Sequence, residues 1–351
     1  MDIRKYLQEL GELERKSGDF LHLTTNENKM SESVRKMLST NLSERYYFGG
    51  GNDDMVDLGG TTFVGLKEAQ DLIKYAEETV KVTTGGVAVN MKPLSGLHSM
   101  MCSILATTEP EDAVMSVRGE DGGHFATRSI LSRIGRKQVF ASYDSDHLAF
   151  DIEKTAQDFK TSGAKLLYLD ISDHIKPVDV YSLRQALGND AVMIYDASHT
   201  LGLIMGGAFP NPLKEGANLI SANTHKTLPG PQKGLIVFRD ADFGEKVSAS
   251  INSLISSSHT HHLLALAVAI AEMAVFGHDY ARQIIANSNA LASAFVDLGH
   301  DVRRADEKRF SYNHQTHVFL DREVEKLHLY NRLVKNNIST NFKNTLGGQF
   351  F

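Results

Sequence analysis

Between residues 113 and 238 the chain alternates short apolar runs with stretches of helical character, and this restricts its fold more than any other feature. Runs at 113–117, 138–142, 165–170 and 191–196 predict strands, and 125–134, 151–161 and 181–187 predict helices. Two further β-like runs follow at 218–222 and 234–238. Apolar strands separated by helices build a mainly parallel sheet covered on both faces. In such sheets ligands gather at the carboxyl ends of the strands. Two residues with useful chemistry fall there: Asp196 ends one run, and Lys226 follows the next.

Lys226 lies in Asn223-Thr224-His225-Lys226-Thr227-Leu228-Pro229-Gly230-Pro231-Gln232-Lys233-Gly234, so its amine precedes a Gly/Pro turn. An amine and a carboxylate at strand ends are what pyridoxal 5'-phosphate chemistry needs. The amine forms an imine with the cofactor aldehyde, and the carboxylate keeps the pyridinium nitrogen protonated. The plainer alternatives are a loop lysine and a strand-end turn former. Ser95-Gly96 precedes a helical stretch at 99–105. A helix start exposes backbone N–H groups that bind phosphate, and the same pair also reads as an ordinary N-cap.

Thr224-His225-Lys226-Thr227, Asp196-Ala197-Ser198-His199 and Gly202-Leu203-Ile204 together resemble the serine hydroxymethyltransferase-like family of fold type I pyridoxal phosphate enzymes. Leu23-Thr24-Thr25-Asn26-Glu27-Asn28, Arg45-Tyr46-Tyr47, Ser95-Gly96 and Asp121-Gly122-Gly123-His124 occur in the family's order, so the resemblance covers most of the chain. It implies that Lys226 carries the cofactor and Asp196 pairs with its ring nitrogen. His124 would lie flat over the ring and carry protons, while His199 and Ser172 would approach its phenolic oxygen. Ser95, Gly96 and Thr224 complete the implied cofactor set. Asn26, Tyr46, Tyr47 and His98 form the implied substrate set.

The loop after Lys226 lacks the arginine usual in hydroxymethyltransferases and resembles the L-threonine transaldolase branch. Asn52 or Asp53 stands where those enzymes place a glutamate, and Leu97 stands where they repeat a serine. The expected reaction is therefore aldol-type cleavage and transfer on a β-hydroxy amino acid through a glycine quinonoid, with an amino acid and an aldehyde as substrates. Hydroxymethyl transfer to tetrahydrofolate is the second reading. The third is a cofactor-binding subunit or pseudo-enzyme that needs a second chain. That reading arises because the sequence stops at Phe351, before the family's carboxylate-binding arginine. The resemblance implies an N-terminal arm at 1–30, a large cofactor domain at 31–280, a truncated C-terminal α+β lobe at 281–351, and a homodimer.

The 351 residues carry a net charge of -6, which gives no reason to expect nucleic acid. One cysteine, Cys102, and no apolar signal region near Met1 suggest a reducing, cytoplasmic location. The apolar run at 263–271 is about half the roughly 20 residues that cross a bilayer, so it predicts a buried helix and no membrane contact. A long helical connection is expected at 263–298, broken near Gly277. Beyond it, a helix at 284–298, a strand at 316–320 and a helix at 325–335 are expected. The Ser/His turn at 256–262 lacks cysteines or a carboxylate motif, so no metal is expected there. By resemblance this turn reaches a partner subunit's phosphate.

Overall fold

The computed structural model describes residues 2–48, 55–58, 61–320 and 326–351. Its centre is a seven-stranded sheet. The strands in chain order are β1 (Ala88–Asn90), β2 (Ala113–Ser116), β3 (Lys137–Phe140), β4 (Leu166–Leu169), β5 (Val192–Asp196), β6 (Leu219–Asn223) and β7 (Gly234–Phe238). Across the sheet the order is β1-β7-β6-β5-β4-β2-β3. Only β7 runs against its neighbours, β1 and β6. The expected mainly parallel sheet flanked by helices is present.

Strand side chains alternate between faces, and the core divides accordingly. Leu167, Leu169, Met193, Tyr195 and Ile220 belong to one apolar cluster. Leu166, Tyr168, Ile194 and Leu219 belong to a second. Both faces are therefore buried, which explains why these runs lack polar alternation.

The long helix, Thr260–Asp297, differs from expectation because it is continuous through Gly277. Its 38 residues span about 57 Å at 1.5 Å per residue. Gly277 does not break the helix; its carbonyl lies against Gly206, and the glycine required by that approach is Gly206. A Cβ at Gly206, which ends the short helix Leu201–Met205, would lie 2.4 Å from the Gly277 carbonyl oxygen. The helix expected at 284–298 is the far end of this element, and the boundary expected at 280 falls inside it. By length and composition it could cross a membrane. Leu263, Leu264, Leu266, Ile270 and Met273, however, are buried in the first cluster.

Beyond it, residues 316–320 do not form a named strand. Val302 bridges to Val318, and Phe319 bridges to Phe350. The helix Lys326–Lys335 follows, while residue 325 lies outside the described residues. Leu21–His22 pairs in parallel with Ile338–Ser339, tying the two ends of the chain together.

The Gly206–Gly277 approach is testable. Gly206→Ala should lower stability by about 1–3 kcal/mol through overpacking. Gly11→Ala, whose Cβ would meet nothing within 4 Å, should leave it unchanged or slightly raised. Thermal unfolding reads both, and a Gly206→Ala melt matching the parent would refute the close contact.

Candidate active site

A cavity of about 220 Å³ opens beyond the carboxyl ends of β4, β5 and β6. Asp196 is the last residue of β5, and Lys226 sits three residues past the end of β6. Both line the cavity with Ser95, Gly96, His124, Ser172 and His199.

Local hydrogen bonds fix the lysine turn. Thr224 N–H donates to the Lys233 carbonyl at 3.1 Å, and Gly230 N–H donates to the Thr224 carbonyl at 2.9 Å. The Thr227 hydroxyl donates to the His199 carbonyl at 2.9 Å and accepts from Gly202 N–H at 3.2 Å. A Cβ at Gly202 would lie 2.1 Å from the Thr227 carbonyl oxygen. Glycine there lets the Leu201–Met205 helix press against the turn and hold Lys226 in place.

The Lys226 amine lies 3.0 Å from His199 Nε2. Burial pulls its pKa down to about 8, with Asp196 opposing that shift and Lys343 adding to it. The Asp196 carboxylate accepts from the Tyr168 hydroxyl at 2.8 Å and from Ser198 N–H at 2.9 Å. Tyr168 and Asp196 reach each other because both occupy the same face of the sheet, on neighbouring strands.

His124 is delivered by a turn that requires glycine. Gly122 has φ +86, and a Cβ at Gly123 would lie 2.4 Å from the Val117 carbonyl oxygen. His124 N–H donates to the Asp170 carbonyl at 3.1 Å. Burial lowers its pKa, with Asp196 opposing, so the neutral imidazole is favoured. Ser172 donates to the Gly122 carbonyl at 3.2 Å, closing the same turn.

Ser95 caps the helix Gly96–Thr107 by accepting from His98 N–H at 3.1 Å. A Cβ at Gly96 would lie 2.6 Å from the Asn223 Cβ, so glycine seats this helix start on the end of β6. The N-cap reading and a cavity-facing helix start thus hold together.

Five predicted residues lie off the cavity. The Thr224 hydroxyl is consumed inside the loop, donating to the Pro231 carbonyl at 2.6 Å. His98 turns back to accept from Leu94 N–H at 3.2 Å. Asn26 is exposed, whereas Asn28 donates to the Lys226 backbone carbonyl. Tyr46 is 58% exposed and stacks on Phe48. Tyr47 packs against the first core cluster, its pKa raised to about 12 by burial and then by Glu77. The Arg45 carbonyl before this pair accepts from the Thr260 hydroxyl at the start of the long helix. Asn52 and Asp53 lie outside the described residues. No metal-binding cluster of His, Cys, Asp or Glu occurs among the described residues.

Sequence reasoning missed Tyr168, Asp170, Ser198, Asn223 and His225. Asn223 Oδ1 and His225 Nδ1 are buried without partners, and both residues line the cavity. Asp170 is pushed up to about 7 by burial while accepting from Val117 N–H at 3.1 Å. Position at a strand end was the one available signal for Asp170, Ser198 and Asn223.

The family profile described as serine hydroxymethyltransferase matches residues 3–348. A fluorothreonine transaldolase from Streptantibioticus cattleyicolor is 36% identical over 88% of this chain, and the match spans about half of that relative, 49%. A serine hydroxymethyltransferase from Methanosphaera stadtmanae is 35% identical over 93% of this chain and 76% of its own length. An L-threonine:uridine-5'-aldehyde transaldolase from Streptomyces is 31% identical over 90% of this chain and 77% of its own. The crystal structure of L-threonine transaldolase from Pseudomonas fluorescens in its internal aldimine state superposes with TM-score 0.90 at 29% identity. That match covers 99% of this chain and 80% of the other. The chain belongs to the serine hydroxymethyltransferase family of pyridoxal phosphate-dependent transferases.

Proposed function

We propose that this chain is a threonine transaldolase-type enzyme. With pyridoxal phosphate bound, it would break the Cα–Cβ bond of a β-hydroxy amino acid and join the glycine unit to a second aldehyde. One observation carries this reading: a half-buried lysine amine and a half-buried carboxylate face one small cavity at strand ends. The donor set fits the cofactor. The cavity offers an amine, a carboxylate, a helix start and the unpartnered Asn223 Oδ1 and His225 Nδ1.

When bound, pyridoxal phosphate supplies an aldehyde and a ring that takes up the electron pair released at Cα. Lys226 would hold the cofactor through its amine. Asp196, oriented by Tyr168 and Ser198, holds a proton on the ring nitrogen. The first-turn N–H groups at Gly96 and Leu97 would hold the phosphate. Ser172 and His199 form the wall beside Lys226. His124, neutral because it is buried, takes the β-hydroxyl proton as the Cα–Cβ bond breaks and the first aldehyde leaves. It returns that proton to the oxygen of the second aldehyde once the new bond forms.

The Methanosphaera relative supports a second reading, hydroxymethyl transfer to tetrahydrofolate. Turnover separates the two. Acetaldehyde release from threonine that rises with an added aromatic aldehyde supports transaldolase action. Serine turnover that occurs only with tetrahydrofolate would replace that reading by the second.

Lys226 makes a further prediction. Its neutral form attacks, so adduct formation with pyridoxal phosphate should rise with pH through about 8 and not near the ordinary lysine value of about 10.4. Lys226→Ala should lose the visible adduct absorbance and resist borohydride trapping. A reducible adduct on the same peptide in that variant would sink the assignment.

We also propose a homodimer. Ile3, Leu7, Leu10 and Leu13 on the helix Ile3–Gly18 are each at least 60% exposed, and no residue of that helix is buried. An apolar face of this kind fits a second copy of the chain. Light scattering should give twice the 38.7 kDa chain mass; a stable, active monomer would overturn the proposal.

A further inference from the structure

Behind Lys226 runs a chain of buried polar groups whose neighbours dictate where each proton sits. Gln315 is 2% exposed. Its side-chain nitrogen donates to the Ser172 carbonyl at 2.7 Å and to His199 Nδ1 at 3.3 Å. Its oxygen accepts from His317 Nε2 at 3.0 Å. The amide cannot be reversed, because its oxygen would then face the Ser172 carbonyl oxygen at 2.7 Å.

His314 supplies an independent constraint. Its Nε2 lies 2.9 Å from the Thr25 carbonyl oxygen. A carbonyl only accepts, so this nitrogen carries the hydrogen. The same Nε2 lies 3.4 Å from His199 Nδ1. Its one hydrogen is committed to Thr25, so His314 offers Nδ1 no acceptor, and Gln315 is the donor that obliges Nδ1 to keep its lone pair. A neutral imidazole then has its hydrogen on Nε2, the atom 3.0 Å from the Lys226 amine. Burial disfavours the imidazolium, and the neighbouring Lys226 disfavours it further. A donor at Nε2 requires the lone pair of the amine, so this arrangement selects the uncharged lysine.

We propose that Gln315 is a positioning residue that fixes the Nε2–H tautomer of His199 and so holds Lys226 as a free amine poised to attack an aldehyde. The claim deepens the reading of Lys226 as the aldehyde-capturing group, while the tautomer itself can be measured on the protein alone. The other groups facing the amine do not replace this control. Asp196 and Asp173 favour the ammonium, and Lys343 opposes it. Lys343 and Asp173 are themselves paired at 3.1 Å, so they largely offset each other. His124, His225 and His314 are held toward their neutral forms by burial. A purely structural Gln315 would support the fold and leave the protonation of Lys226 untouched.

The test uses the full chain, cofactor-free, with ¹⁵N-labelled histidine. The His199 resonance is assigned by its loss in His199→Asn. A protonated Nε2 with an unprotonated Nδ1 is expected; hydrogen on Nδ1 overturns the proposal. Adduct formation with added pyridoxal phosphate is then followed against pH in two variants. Gln315→Glu presents an acceptor to Nδ1 and should move the hydrogen there, raising the pH midpoint by about one unit or more. Its added negative charge would also push in that direction. Gln315→Leu is therefore the decisive variant, since it removes the donor without adding charge. It should populate Nδ1–H and raise the midpoint as well. Retention of Nε2–H with an unchanged midpoint in Gln315→Leu overturns the proposal. Should that variant fail to fold, the parent tautomer still decides. An intact Nε2–H tautomer with no adduct at any pH would instead sink the assigned function of Lys226.

Discussion

Exclusion of water around one amine is the constraint on which the rest of this site depends. An isolated ammonium is expensive to bury, so a lysine in such a place tends to become neutral or to acquire a partner. At Lys226 burial dominates, and Asp196 limits the shift. The cavity can be that small because backbones approach where glycine permits. Gly96 seats a helix start on β6, Gly202 lets a short helix press on the lysine turn, and Gly123 folds the His124 turn against Val117. Each contact would be closed to a side chain. The same glycines that pack the loops therefore fix the distances between amine, carboxylate and imidazole.

The sheet converts this local geometry into a rigid frame. β4, β5 and β6 run in parallel and end together, so the residues following them converge without long loops. Two apolar clusters lock the strands from opposite faces. Tyr168 shows how core and chemistry share residues. Its ring is wholly buried in the second cluster, while its hydroxyl orients Asp196. A change at Tyr168 would act on packing and on the carboxylate at once.

Much of this was legible in the sequence, for physical reasons. Strands buried on both faces produce continuous apolar runs, so β2, β4, β5 and the β6–β7 pair stood out. Asp196 and Lys226 stood out because strand ends are where parallel sheets place ligands. The failures share a cause. Gly277 read as a helix break because glycine lowers helix propensity, yet its partner in space is Gly206, far away in the chain. Thr224 and His98 carried plausible polar groups, but nearby backbone atoms had first claim on them. Gln315 is 116 positions from His199, and no local pattern announces a contact of that span. Tyr46 and Tyr47 stand in sequence beside the Gly49-Gly50-Gly51 run, and neither lines the cavity around Lys226 in this chain.

Lys233, fully buried, and Lys226, half-buried, show how the surroundings, not burial alone, decide protonation. Lys233 is 1% exposed, and burial pulls its pKa down to about 7. Its amine nevertheless faces three carbonyl oxygens, of Lys92 and Pro93 at 3.2 Å and of Ser258 at 3.0 Å. Three acceptors use all three hydrogens of an ammonium, and a neutral amine would leave one unmet. These contacts favour the charged form against the effect of burial. They tie the approach to the Ser95 helix to the turn before the long helix. Lys226 lies in the same fold only seven positions away, yet its nearest polar neighbour is an imidazole nitrogen, which carries hydrogen in the tautomer proposed to be set by Gln315. One lysine is presented with acceptors and serves as a clasp. The other is presented with a donor and is left with a lone pair, which is the form that chemistry at an aldehyde requires.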